Sequence, residues 1–148
     1  MDTIDLDLCC LKRSFDDQRQ ERVRRAAAAV TAIVAQAERG ACALVRSPAL
    51  LIENEANPRE DRRLATALWI DGAAVDVAHS EVVAARAHEL RALGFGVLDG
   101  LHLAYAEAAG ARWLVTCDDR LTELARRHAH RLRVGVANPC DLQGELKS

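Results

Sequence analysis

Arg112-Trp113-Leu114-Val115-Thr116-Cys117-Asp118-Asp119 is the stretch on which the fold turns. Its first half is short and apolar, as a buried strand requires. Its second half is acidic and leads into a helical pattern over Arg120–His130, and another apolar run, Leu132–Val136, follows. Strand, helix and strand in that order place the two strands parallel, because the helix carries the chain back to the edge where it began.

The rest of the chain repeats this alternation. Thr3–Leu8 reads as a strand, and Asp16-Asp17 opens a helix to about Glu38. Val23, Ala27, Val30, Ile33, Val34 and Ala37 form that helix's apolar stripe, and Gly40 closes it. Cys42–Val45 is a second strand. Ser47-Pro48 then supplies an N-cap and a first-turn proline for a helix to about Asn54. Asn57-Pro58 opens a helix through Trp69. Asp71-Gly72 is a turn, and the segment to Ala78 fits no single pattern. Ser80 caps a helix over Glu81–Leu93. Gly94 and Gly96 break it, and a helix over Leu98–Ala109 ends at Gly110. The expectation is an α/β fold with a mainly parallel sheet, in one domain over residues 1–148.

Composition narrows the function. The 148 residues are 50% hydrophobic and 3% aromatic, so the core is aliphatic, and the net charge of −2 excludes a binder that holds nucleic acid by a general basic field. Met1–Asp7 carries three aspartates and lacks the make-up of a signal peptide, and no apolar run nears the ~20 residues that cross a bilayer. The five cysteines, Cys9, Cys10, Cys42, Cys117 and Cys140, form no C-x-x-C pair. If Cys9 and Cys10 lie in a strand or its exit, they point to opposite sides. They read as reduced thiols packed like small apolar groups in a cytoplasmic protein, with no zinc site expected.

The acids are informative through their positions. In open parallel sheets, ligands bind beyond the carboxyl ends of the strands. Asp7 lies near the end of the first strand, and Asp118 and Asp119 lie just past the end of another. Asp99 stands in the first turn of its helix, where the helix dipole favours an anion. Glu53 comes late on the helix after Ser47. Carboxylates gathered together repel one another unless a cation compensates, and an all-oxygen donor set suits Mg²⁺ or Mn²⁺. Each acid also has an ordinary alternative: a turn residue at Asp7, helix caps at Asp99 and Asp118, and solvated surface at Glu53. Trp69 and Trp113 read as core, and the arginines at 22, 24, 25, 59, 62 and 63 as solvated helix faces.

Four segments carry a resemblance. Ile4-Asp5-Leu6-Asp7-Leu8-Cys9-Cys10-Leu11-Lys12-Arg13-Ser14-Phe15-Asp16-Asp17 resembles the opening of a bacterial PIN-domain group. Ser47-Pro48-Ala49-Leu50-Leu51-Ile52-Glu53 resembles its S-x-x-x-x-x-E helix. Leu98-Asp99-Gly100-Leu101-His102-Leu103-Ala104 resembles its D-x-x-H-x-A helix, and Leu114-Val115-Thr116-Cys117-Asp118 its T-x-D strand end. The resemblance implies an α/β/α sandwich around a sheet of four to five strands. It implies a Mg²⁺- or Mn²⁺-dependent endoribonuclease, similar to the VapC-type toxins of type II toxin–antitoxin modules. Such a protein acts on RNA, is held by a cognate antitoxin and forms a homodimer.

Carried over, the catalytic and metal-binding acids are Asp7, Glu53, Asp99 and Asp118. Thr116, His102 and Asp119 support them, and Lys12 and Arg13 lie where RNA phosphates would pass. Two departures stand out. Leu8 replaces the threonine or serine that usually follows the first aspartate, and Asp5 occupies a normally apolar position. Leu8 keeps open a second reading, a PIN-fold binding module with a degenerate site. A third is a haloacid-dehalogenase-like phosphatase, from Asp5-Leu6-Asp7 and Asp118-Asp119. It lacks the expected x-Thr and has no lysine between Lys12 and Lys147.

Overall fold

A computed structural model describes residues 2–142; Met1 and the end of the chain, including Lys147, lie outside the described residues. Five strands form the sheet: β1 (Asp2–Leu6), β2 (Cys42–Arg46), β3 (Val75–Asp76), β4 (Trp113–Val115) and β5 (Gly135–Ala137). All pairings are parallel, in the order β3-β2-β1-β4-β5. Helices accompany them, among them α1 (Leu8–Lys12), α2 (Glu21–Glu38), α3 (Pro48–Glu55), α4 (Glu60–Asp71), α5 (Glu81–Ala92), α6 (Val97–Ala108) and α7 (Asp119–Arg127). The expected α/β/α sandwich with a parallel sheet is what the chain forms.

Period-two alternation distributes the core between the two faces of the sheet. Ile4 and Leu6 of β1 and Val115 of β4 join Val30, Ile33, Leu50 and Ile70 on one face. Leu114 of β4 joins Val83, Leu90, Leu103 and Tyr105 on the other. Asp5, between Ile4 and Leu6, therefore points toward the face that α6 covers, and it is wholly buried. Gly100 lets α6 approach α5 closely: a β-carbon there would stand 3.4 Å from the Ala87 carbonyl. Gly135 does the same for β5, where a β-carbon would sit 2.5 Å from the Trp113 ring.

Most boundaries move only slightly from those expected, and the larger shifts have local causes. Residue 7 ends the first strand instead of lying within it. The Asp7 carboxylate accepts the Cys10 N–H at 3.1 Å and starts α1, while its own N–H donates to the Val115 carbonyl at 3.0 Å. The following helix starts at Glu21 rather than Asp16-Asp17, because the Asp17 carboxylate accepts the Arg19 N–H in a local turn. Asn57 accepts the Arg59 N–H in the same way and delays α4 to Glu60. The ambiguous segment before Ala78 supplies the short strand β3. No helix among the described residues is long and apolar enough to cross a membrane.

Candidate active site

The strand order reverses beside β1: the chain runs outward through β2 and β3 on one side and through β4 and β5 on the other. A crevice opens at such a switch point, beyond the carboxyl ends of β1 and β4. Asp7 and Asp118 stand at those two ends, and each caps the helix that follows. Asp7 starts α1, and Asp118 starts α7 by accepting the N–H groups of Arg120 at 2.9 Å and Leu121 at 3.4 Å. The two junctions differ in depth, Asp7 being buried and Asp118 exposed.

Thr116 ties the junctions together. Its hydroxyl accepts the Asp118 N–H at 3.1 Å, stands 3.7 Å from the Cys9 sulfur that donates to Asp7, and acts to lower the pKa of Asp7. It thus orients the backbone of Asp118 rather than its carboxylate. Leu8 points into the core. The donor that a hydroxyl at position 8 would offer comes instead from Cys9, whose Sγ donates to Asp7 Oδ1 at 2.8 Å. The sequence reading missed this thiol. Its signal was a hydrogen-bonding side chain two residues after Asp7, in a segment that became helical.

The other two acids come from α3 and α6. Ser47 and Pro48 start α3, the Ser47 hydroxyl accepting the Leu50 N–H at 3.3 Å. Near its end, Glu53 pairs with Nε2 of the buried His102 at 2.9 Å. Glu53 is therefore no solvated surface residue. Asp99 is half-buried in the first turn of α6, whose N-cap is Gly96, so it is not a cap itself. Asp99 and Asp118 both line a cavity of about 530 Å³ with Gly96, Arg120, Glu123 and Arg127.

Charge links Asp99 to Asp118 and Glu53, and His102 to Glu53 and Asp7. Burial, then Asp118 and Glu53, raise the pKa of Asp99 above the usual carboxylate range, against the pull of His102. Asp7 is raised well above that range, first by burial and then by Cys9, with Thr116 and the Cys10 hydrogen bond opposing. Burial disfavours the charged form of His102, yet the Glu53 hydrogen bond and the charges of Glu53, Asp5 and Asp7 outweigh it and raise the pKa. Asp5 lies beneath this group. Neither of its oxygens, nor His102 Nδ1, has a hydrogen-bond partner among the described residues. Burial, opposed by His102 and reinforced by Asp7, pushes Asp5 to about 7.

Asp99 and Asp118 line the open crevice, Asp7 and Glu53 are not part of its wall, and among the described residues no three of the four acids bring ligand atoms within 4.8 Å of one another. Among the described residues, the ligand atoms of Cys9, Cys10 and Cys117 are the one set of three potential metal donors lying within 4.8 Å of one another. Cys9 and Cys10 lie in α1 rather than in a strand, so the condition under which they would face opposite ways is not met. Cys10 and Cys117 sulfurs are 3.6 Å apart, and Cys9 Sγ accepts the Cys117 N–H at 3.3 Å. Hydrogen bonds from Cys10 and Cys9, with help from Arg13, lower the pKa of Cys117, while burial raises that of Cys10.

Other residues lie outside this group. Asp119 is exposed and ion-paired with Arg22. Arg13 pairs with Asp16 at 2.9 Å and lines a separate cavity of about 300 Å³ with Cys117 and Asp119. Lys12 is half-buried at the end of α1. Trp113 is half-buried, but Trp69 is 36% exposed on α4 and is not the core residue expected. Arg62 lies over the Phe15 ring instead of on a free helix face.

No family model matches the chain, and no curated protein matches it. Among solved structures, the crystal structure of FitAcB from Neisseria gonorrhoeae is similar, with a TM-score of 0.55 and 18% sequence identity over 92% of this chain and 97% of that one. At that identity the likeness concerns architecture alone: a parallel α/β/α sandwich of the PIN-like kind.

Proposed function

We propose that residues 1–148 form one PIN-type nuclease domain, a Mg²⁺- or Mn²⁺-dependent endoribonuclease that serves as the toxin of a type II toxin–antitoxin module. Support for this reading comes from Asp99 and Asp118, which line one cavity, from Glu53, which His102 holds, and from Asp7, which caps α1 beside the point where the strand order reverses. The four quoted motifs and the PIN-like fold add support.

The residues fit a hard divalent cation. Their donors are carboxylate oxygens, and the like charges of Asp118 and Glu53 act on Asp99 against the opposing pull of His102. Mg²⁺ keeps several waters and takes one or two carboxylates directly, so it does not need all four acids as ligands. Asp99 and Asp118 would hold the ion on the cavity side, and Asp7 and Glu53 from within. When bound, such an ion supplies Lewis-acid stabilisation of a phosphodiester and a more acidic water.

The protein's own part is positioning. Cys9 and Cys10 fix the Asp7 carboxylate by hydrogen bonds. His102 fixes Glu53, and the α7 N-terminus fixes Asp118. Arg120 and Arg127 line the cavity with Asp99 and Asp118 and are placed to meet RNA phosphates. Lys12 and Arg13 would extend that track past α1. Leu51, Ile52, Leu64 and Leu68 are exposed on α3 and α4 beside Trp69, an apolar surface of the kind that protein partners cover. We assign it to an antitoxin and to a homodimer, in the cytoplasm.

Asp99→Asn tests the reading, because it removes one charge with almost no change of shape. The wild type should cleave RNA with Mn²⁺, and Asp99→Asn should not, at unchanged circular dichroism. Equal cleavage by the two proteins, or none by a Mn²⁺-loaded wild type, would favour a binding module instead.

A further inference from the structure

We infer that Cys9, Cys10 and Cys117 form a second metal site, for a thiophilic divalent cation of the Zn²⁺ class, next to the acidic crevice and distinct from it. Their three sulfurs lie within 4.8 Å of one another, and those of Cys10 and Cys117 are 3.6 Å apart. With a Zn–S bond of about 2.3 Å, tetrahedral geometry sets neighbouring thiolates about 3.8 Å apart. The trio thus stands near ligating geometry without a movement of the backbone.

Three further features support the site. α1 is tied to β4, since the Asp7 N–H and the Cys10 thiol both donate to the Val115 carbonyl, at 3.0 and 3.3 Å. That fixes the two sulfurs of α1 against Cys117, just beyond the end of β4. A route in exists, because Cys117 is half-buried and lines the cavity of about 300 Å³ that it shares with Arg13. Charge also fits. A divalent cation with three thiolates carries one net negative charge, and Arg13, which also pairs with Asp16, lines the same cavity as Cys117. On binding, the thiol protons pass to solvent and water completes the shell.

The donor set separates this site from the crevice. Thiolates select Zn²⁺-like ions, whereas the crevice offers hard oxygens suited to Mg²⁺ and Mn²⁺. Occupancy would turn the Cys9 sulfur from Asp7 toward the metal and release the Asp7 Oδ1 that it now holds at 2.8 Å.

The test is titration of the full, metal-free chain with Cd²⁺ under a phosphine reductant, followed by sulfur-to-cadmium charge-transfer absorbance. One equivalent should saturate the band. Loss of one thiolate in Cys9→Ser or Cys117→Ser should weaken binding by about 100-fold or more, whereas Cys42→Ala should leave it in place. Asp99→Asn should also keep the band, so failure of the nuclease reading and failure of this one are distinguishable. Cadmium-113 NMR of the wild type counts the sulfur ligands without any variant and guards against loss of the fold. No charge-transfer band, a band equal in Cys117→Ser, or a shift showing fewer than three sulfurs would overturn the inference.

Discussion

The β1–Asp7–α1 and β4–Asp118–α7 junctions are built by one device at two depths. In each, a short apolar strand ends at an aspartate, and that aspartate caps the next helix. The strands are hydrogen-bonded neighbours, so the two carboxylates flank one crevice. Asp118 faces solvent, and backbone N–H groups hold it. Asp7 is buried among a thiol, a hydroxyl and a backbone N–H, and its acidity is weakened. The lesson is that strand-end placement brings an acid to the site, while the second layer of packing decides how readily it carries charge.

The sharpest way to break this comparison is to remove each charge in turn. If both junctions feed one centre, Asp7→Asn and Asp118→Asn should each lower Mn²⁺-dependent RNA cleavage by roughly 1,000-fold or more, the scale of several kcal/mol that metal-held charge stabilisation supplies. Single-turnover cleavage on both variants reads this directly. Loss in only one would show that the junctions share architecture but not chemistry.

The next effect probes depth. Asp5 lies beneath Asp7 with its pKa raised to about 7 from an unfolded value of 3.8. The folded state thus keeps a proton that the unfolded chain releases, so stability falls as pH rises from about 4 to about 7. The loss assigned to Asp5 is on the order of 4 kcal/mol. In metal-free protein, Asp5→Asn should flatten that part of the stability–pH curve, as read by urea unfolding. A slope equal to that of the wild type would remove Asp5 as its source.

The smallest effect concerns capping. Asp118→Ala should cost about 1 kcal/mol by uncapping α7, as expected for a solvent-exposed N-cap. Asp7→Ala should cost less in thermal unfolding, because relief of a buried carboxylate offsets the lost cap of α1. A larger loss at Asp7 would mean that its carboxylate stabilises the fold despite its burial.

How much of this was legible in the sequence follows from the same comparison. The strand ends at Asp7 and Asp118 could be read, because an acid closing an apolar run is a local signal. So could the N-cap Ser47 and the helices bearing Glu53 and Asp99. Depth could not be read, since it depends on which helix covers which strand. Asp5 looked like an anomaly in an apolar run, and only the α6 layer and His102 explain its surroundings. The thiol cluster was missed for a related reason. Treating Thr3–Leu8 as one strand put Cys9 and Cys10 on opposite sides, whereas the Asp7 cap turns them into a helix facing Cys117. Asp119 shows the opposite failure: adjacent to Asp118 in sequence, it turns away to Arg22.

Manganese anomalous scattering from crystals soaked in Mn²⁺ tests the central claim most directly. A strong peak is expected in the crevice, bonded to at least one of Asp7, Glu53, Asp99 and Asp118, and weakened in Asp99→Asn crystals. A saturated soak with no peak there, or with manganese only among Cys9, Cys10 and Cys117, would contradict it.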